Sequence, residues 1–299
     1  MLMKTNKLCM FLLINFLLFY PGMLLSWWDK GHMLVSLIAQ KYMTEAARNK
    51  SKNLISLLAQ EFPESADFIT ASCWADDIKS KGLPYFTPWH AANLPYDPTN
   101  YLTAAQKREI TATTDCSRMD KVLSECITSL KDPVAIDWSK SITLRILMHL
   151  VADIHQPLHV VIFYSKDFPR GDTWGHDFAV LIESKVWSLH KLWDGLIEIN
   201  GQRFKRPLDL ESTQALTQEA EALVQKHASV IATLQATCLS SPTDWLHESY
   251  SDALQYAYSD LILGQTLSPE YLEKARMCVE RRLVLAGYRL GALLSEIFS

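Results

Sequence analysis

The chain has little net charge of either sign. Its 29 Lys and Arg against 33 Asp and Glu leave −4 at pH 7 over 299 residues. It therefore lacks the global basic field that a duplex-binding protein presents. Cysteine is sparse too, with six residues, of which Cys73, Cys116, Cys126, Cys238 and Cys278 lie beyond residue 26. An odd count leaves at least one thiol free or paired between chains. Cys116 with Cys126, or either with Cys238, are the candidate bridges. Low-complexity linkers and internal repeats are absent, so residues 27–299 read as one large domain with a substantial core. The longest apolar run, 9–20, is short for a membrane span. It follows Lys4 and Lys7 and is broken by Pro21 and Gly22, the pattern of a secretory signal peptide. Cleavage after Ser26 would expose Trp27, although Leu24 is larger than ideal two residues before the cut; a retained anchor is the alternative. The expected product is exported, to a periplasm or the medium.

Histidine is where the chain concentrates its chemistry. His149-Leu-Val-Ala-Asp153-Ile-His-Gln-Pro-Leu-His159 lies in the mostly apolar stretch 142–158. Residues four apart share a helix face, so His149 and Asp153 point the same way. A helix apolar nearly all round is buried, and a buried imidazole and carboxylate are costly unless paired or bound to metal. Pro157 breaks the helix, and His159 follows the break. A core histidine bonded to an aspartate would explain this segment alone. The His-x3-Asp spacing recurs, however, at His190 and Asp194. Asp76 and His90 each sit beside a tryptophan, and His32 follows Trp27-Trp28. Imidazole nitrogen and carboxylate oxygen are natural zinc ligands. Five of the nine histidines fall in these contexts with no cysteine among them, which points to a multinuclear zinc site.

Helical periodicity marks residues 28–42, 104–108, 119–130, 142–154, 190–199, 212–233, 242–258 and 269–298. Pro242 and Pro269 suit first turns behind Ser241 and Ser268 as N-caps. Residues 178–182 read as a strand, paired with 185–187 across Glu183-Ser184. The fold class is all-α with one small β-hairpin. Gly287 and Gly291 in the last helix are expected to allow close helix contact.

The ordered motifs W-x4-H (27–32), WAD (74–76), WH (89–90), H-x3-D-x2-QPLH (149–159) and LH-x2-WD (189–194) resemble those of the zinc-dependent type I nucleases. These are fungal and plant single-strand-specific endonucleases and 3'-nucleotidases, in one superfamily with the zinc phospholipases C. The resemblance implies the mostly helical fold of that superfamily and three zinc ions in one cleft. One ion would be held by Asp76, His90, His149 and Asp153, and a second by His159, His190 and Asp194. The third would be held by His32, bridging Asp153 and the terminal amine and carbonyl of Trp27. That last set requires removal of residues 1–26. The resemblance further implies attack on phosphorus by a hydroxide between two zincs, with Asp76 orienting or deprotonating it. Single-stranded RNA or DNA would be cut to 5'-phosphorylated products, and 3'-mononucleotides would lose phosphate. No stable protein partner is implied, and the enzyme is expected to be a monomer.

The chain departs from the fungal pattern where substrate would be read. Lys79 stands in place of an arginine, keeping the charge without the bidentate fork. Ala91 and Asn93 replace an aromatic and an aspartate, so Lys79 and Asn93 are the candidate substrate contacts. Trp174-Gly175-His176 replaces Gly-Gly-Asn, with His176 read as an exposed loop residue. His155 is expected to face away from the ligands, and His227 and His247 to lie on surface helices. A phospholipase C using the same metals is the alternative; Asp194 speaks against it, since those enzymes resemble one another in using Glu there. A structural zinc protein without catalysis would instead close its sites fully.

Overall fold

The computed structural model describes residues 27–113, 118–198, 204–235 and 241–299. Among these, helices dominate: α1 (Asp29–Tyr42), α2 (Glu45–Ser56), α3 (Trp74–Ser80), α4 (Ala104–Thr113), α5 (Met119–Lys131), α6 (Asp137–Asp153), α7 (Leu189–Gly195), α8 (Leu210–Lys226), α9 (Ala228–Gln235), α10 (Pro242–Asp252) and α11 (Pro269–Ile297). None is long and apolar enough to cross a membrane. Cys116 and Cys238 lie outside the described residues; Cys73, Cys126 and Cys278 are buried free thiols.

The centre of the domain is α6, which packs against α1, α2, α3, α5 and α11. Its last ten residues are all buried, including His149 and Asp153. Its other buried charge, Arg145, is held without a carboxylate: Nη1 donates to Ser141 Oγ and Nη2 to the carbonyls of Ile55 and Ser65, while Nε has no partner. The longest helix, α11, lies along α1. A Cβ on Gly287 would stand 2.5 Å from Ile38 Cβ, and one on Gly291 2.5 Å from the Ala39 carbonyl oxygen. The two backbones meet where those side chains are missing, and α1, which carries His32, is thereby fixed against the core.

Capping follows the sequence. The Ser241 and Ser268 hydroxyls accept from the backbone amides of Asp244 and Tyr271, with proline in the first turn each time. Residues 212–233 are not one helix: the chain breaks at His227 (φ −108, ψ 26) between α8 and α9. His227 is buried, its Nε2 3.3 Å from Glu280 Oε2 on α11, which corrects its expected surface position. His247 is exposed. After α10 the chain passes through one π turn, Ala253–Ala257.

Strands β3 (Ala179–Ile182) and β4 (Lys185–Ser188) pair antiparallel, Ala179 opposite Ser188. Glu183 and Ser184 have φ of 47° and 67°, the sign a two-residue hairpin turn of the right twist needs. A second pair was not expected: β1 (Leu94–Tyr96) and β2 (Val161–Phe163) run parallel. β2 directly follows the turn that carries His159 and β1 begins four residues after His90, so the pairing holds the two segments side by side; Ala92 N–H also donates to the His159 carbonyl at 2.7 Å.

Candidate metal centre

Helix α6 supplies His149 and Asp153 one turn apart, both fully buried. The His149 Nδ1 lies 2.7 Å from the Ser72 carbonyl, at the end of a 3-10 turn (Thr70–Cys73). A carbonyl only accepts, so Nδ1 carries the proton and Nε2 turns a lone pair inward. His159 and His190 are set in the same way, Nδ1 at 2.7 Å from the carbonyls of His90 and Trp174. Three rings thus present Nε2 to carboxylates. His149 Nε2 is 3.1 Å from Asp153 Oδ2, His190 Nε2 3.2 Å from Asp194 Oδ2, and His159 Nε2 3.7 Å from Asp194 Oδ1. Lone pairs facing carboxylates in a dry interior repel unless a positive charge sits between them.

His90, at the end of a 3-10 turn (Pro84–Trp89), brings Nδ1 to 3.1 Å from Asp153 Oδ2, 2.9 Å from His149 Nε2 and 3.9 Å from Asp76 Oδ1. His32, on the first turn of α1, stacks on His149 at 4.0 Å and 11°, its Nε2 3.5 Å from Asp153 Oδ1. Neither of its ring nitrogens has a hydrogen bond, and the same holds for His159 Nε2 and Asp153 Oδ1. Three groups of donor atoms close enough to share an ion result: His32–His149–Asp153, Asp76–His90–His149 and His159–His190–Asp194. Eight of the nine expected ligands are therefore brought together.

The ninth, Trp27, is fixed by its side chain. Its indole Nε1 donates to the Ala152 carbonyl at 2.9 Å, and the residue is 1 % exposed. A Cβ on Gly31 would stand 2.9 Å from Trp27 Cβ, so the missing side chain in the first turn of α1 makes room for the tryptophan beside Asp153.

The electrostatic surroundings of these groups fit sites that hold positive charge. Burial pushes His32 well below its ordinary range, and His149 adds to this, leaving a neutral imidazole. Burial opposes charge on His149 as well, but Asp153 overcomes it and holds the ring up to about 9. Burial would raise both carboxyls; the histidines instead hold Asp153 well below and Asp194 below the usual carboxylate range. With no cation bound, a proton on His149 serves Asp153. A divalent ion would displace it, so loading releases protons. The donor set, histidine and carboxylate without sulfur, fits zinc.

Lys79 is half-buried on α3, its Nζ without a hydrogen bond. Burial lowers its pKa while Asp76, Asp153 and Asp194 pull the other way, which places the ammonium within the field of all three groups. Asn93 is half-buried on the segment between His90 and β1 and belongs to none of the clusters. His155 faces away as expected: Nδ1 meets the Val151 carbonyl at 2.8 Å, and Nε2 takes Arg289 Nη1 at 2.8 Å.

His176 is a correction. It is not an exposed loop histidine; its ring stacks on His190 at 3.9 Å and 22°, and Nε2 is enclosed without a hydrogen bond. Burial, with His190 beside it, pushes it to about 3. Thr173, Trp174 and Gly175 all have positive φ, and this bend folds the loop back onto α7. Three consecutive left-handed residues, two of them not glycine, carry no sequence signal. Gln156 went unassigned as well: its Nε2 donates to Asp194 Oδ1 at 2.6 Å, and its Oε1 accepts from the Leu158 amide. Its place in QPLH, one residue before the helix-breaking proline, was the available signal.

A sequence model described as S1/P1 Nuclease matches residues 27–299. The chain is similar to Endonuclease 4 of Arabidopsis thaliana, 29 % identical over 296 residues, covering 92 % of this chain and 90 % of the relative. Endonuclease 2 of the same plant is 25 % identical over 99 % of this chain and 98 % of its own. Nuclease S1 of Aspergillus oryzae is 22 % identical over 92 % of each.

Proposed function

From the premise that the chain belongs to the S1/P1 nuclease family and is a hydrolase of that kind, we propose that it is an exported zinc phosphodiesterase. It cuts single-stranded RNA or DNA to 5'-phosphorylated products and removes phosphate from 3'-nucleotides. The observation that carries this is the preset of the histidines: three rings with Nδ1 locked to carbonyls and Nε2 turned onto shared carboxylates. Such outer-shell bonds orient ligands before an ion arrives.

Zinc bound at the three groups would supply a water made acidic enough to attack near neutral pH and charge to draw off phosphate negativity. The chain's own groups do the rest. Asp76, half-buried at the edge of its cluster, is the carboxylate placed to orient the attacking water and take its proton. Lys79 offers an unengaged ammonium for the phosphate oxygens. Asn93 offers an amide to a base beside His90. Trp27 completes the His32–Asp153 group with its own amine and carbonyl once residues 1–26 are removed.

The test uses protein beginning at Trp27, with single-stranded RNA and phosphatidylcholine side by side, with and without a zinc chelator. Chelator-sensitive RNA cleavage with three zinc ions per chain is expected. Lipid hydrolysis without RNA cleavage would overturn the substrate and leave the metal centre standing. Equal activity in protein that keeps residues 1–26 would overturn the role of the Trp27 amine.

A further inference from the structure

A cavity of about 500 Å³ opens beside the metal centre, and neither Ala91 nor Asn93 lines it. We propose that it is a second nucleotide subsite, which receives the nucleoside on the 3' side of the cut, the one released with a 5'-phosphate. This rests on the nuclease reading above.

The cavity adjoins the metal centre through its lining. Asp76, of one ligand group, lines it, and so does Trp27, the residue proposed to complete the His32–Asp153 group. Trp28, also in the lining, lies over Gly195, where a Cβ would stand 2.8 Å from Trp28 Cη2; Gly195 directly follows Asp194 of the remaining group. A phosphate lying across the clusters therefore has this cavity as its neighbour. The contact with Gly195 also fixes the indole before any ligand arrives, so an aromatic wall is preorganised.

The lining suits a nucleoside. Trp28 and Phe204 are both half-buried aromatics, the surfaces on which bases stack regardless of sequence. Lys191, exposed at the rim one residue after His190, can meet the next backbone phosphate. Asp29 and Asp77 also border the space, but Arg206 holds both, at 2.9 Å and bidentately at 2.7 and 2.6 Å, so their charge is largely spent. The volume falls within the range of small-molecule sites. A 3'-mononucleotide has no nucleoside on this side of its phosphate and leaves the cavity empty; an oligonucleotide fills it.

The test compares kcat/KM for the trinucleotide r(AAA) with that for 3'-AMP in the zinc-loaded parent and in Phe204→Ala and Lys191→Gln. The ratio of the two is the readout, since a general loss of fold or metal lowers both values and leaves it alone. The expected result is a ratio about tenfold lower in Phe204→Ala, the order of one lost stacking ring. For Lys191→Gln it is about threefold lower at low salt, closing at high salt. A ratio unchanged in both variants overturns the subsite while the nuclease reading stands. A parent that dephosphorylates 3'-AMP but leaves r(AAA) intact overturns the nuclease reading and the subsite with it.

Discussion

Replacing Gln156 by Met tests whether the centre depends on the bonds behind its ligands. Met keeps the length and unbranched shape of Gln, so packing changes little. Two bonds are lost. Asp194 Oδ1 loses the amide that donates to it at 2.6 Å, and the Leu158 N–H loses its acceptor. Gln156 is fully buried, so water does not replace either partner. A hydrogen bond to a charged group contributes about 1.5–3 kcal/mol, and an unmet buried donor costs about 1–3 kcal/mol. The first loss falls on the orientation of Asp194, the second on the fold of the 3-10 turn (Pro157–Val160) that carries His159. Both bear on the same ion, because the bonds of the Gln156 side chain reach only Asp194 and the Leu158 amide, while its backbone N–H, which donates to the Asp153 carbonyl, is kept in the variant.

The ion at His159–His190–Asp194 should therefore bind about 10–100-fold more weakly, the usual effect of removing an outer-shell partner. Stepwise dialysis against increasing chelator, with metal counted by atomic emission, should show one ion leaving early and two leaving as in the parent. RNA cleavage should fall with the first ion. If all three ions leave together at the parent's chelator concentration, Gln156 does not support Asp194 and the argument from bond geometry to affinity fails.

His149→Ala should lose metal and activity together, since His149 belongs to two of the three groups; full activity in that variant would refute the metal assignment. Gly287→Ala separates close packing from helix propensity. Propensity alone would stabilise α11 by about 1 kcal/mol, whereas the 2.5 Å approach to Ile38 predicts overpacking of about 1–3 kcal/mol in the other direction; a higher melting temperature by calorimetry would exclude the close contact. Asp172 gives a pH dependence. Burial raises its carboxyl from 3.8 to about 6, despite the Tyr258 hydroxyl that donates to it at 2.6 Å. A raised acid contributes stability below its unfolded pKa and loses it as pH rises through the folded one, here across about pH 4–6, by about 3 kcal/mol at 1.36 per unit. Asp172→Asn should remove that loss, so variant and parent denaturation midpoints of the metal-free protein should diverge between pH 4.5 and 7.5; parallel midpoints would refute it.

What the sequence made legible and what it did not divide along one physical line. His149 and Asp153 could be paired because four residues on a helix is a local geometry, and the same holds for His190 and Asp194. The last helix and its two glycines were legible for a related reason, because an unbroken 3.6-residue period survives over 29 residues. The short elements were not. α3 has only seven residues, and the parallel pairing of β1 with β2 joins three-residue strands 67 positions apart, Leu94 to Val161. Yet that pairing is what brings His90 beside His159, whose Nδ1 then binds the His90 carbonyl.

The carbonyls that set the ligand rings belong to Ser72, His90 and Trp174, and all three acceptors are backbone atoms. A backbone acceptor leaves no trace in residue type, so ligand identity was readable and ligand orientation was not. The His176 error has the same origin. A run of positive-φ residues turns the loop inward, and a ring that composition assigns to solvent stacks on His190. Orientation is also what separates a buried ion pair from a metal centre here. With Nδ1 free, each histidine could turn a protonated nitrogen onto its aspartate and the charges would close among themselves. With Nδ1 committed to a carbonyl, a neutral ring can only offer Asp153 or Asp194 a lone pair. The pairing is then satisfied by a second proton or by a cation. Three such rings around two carboxylates make the cation the common solution, which is why backbone bonds, more than the motifs themselves, carry the functional reading.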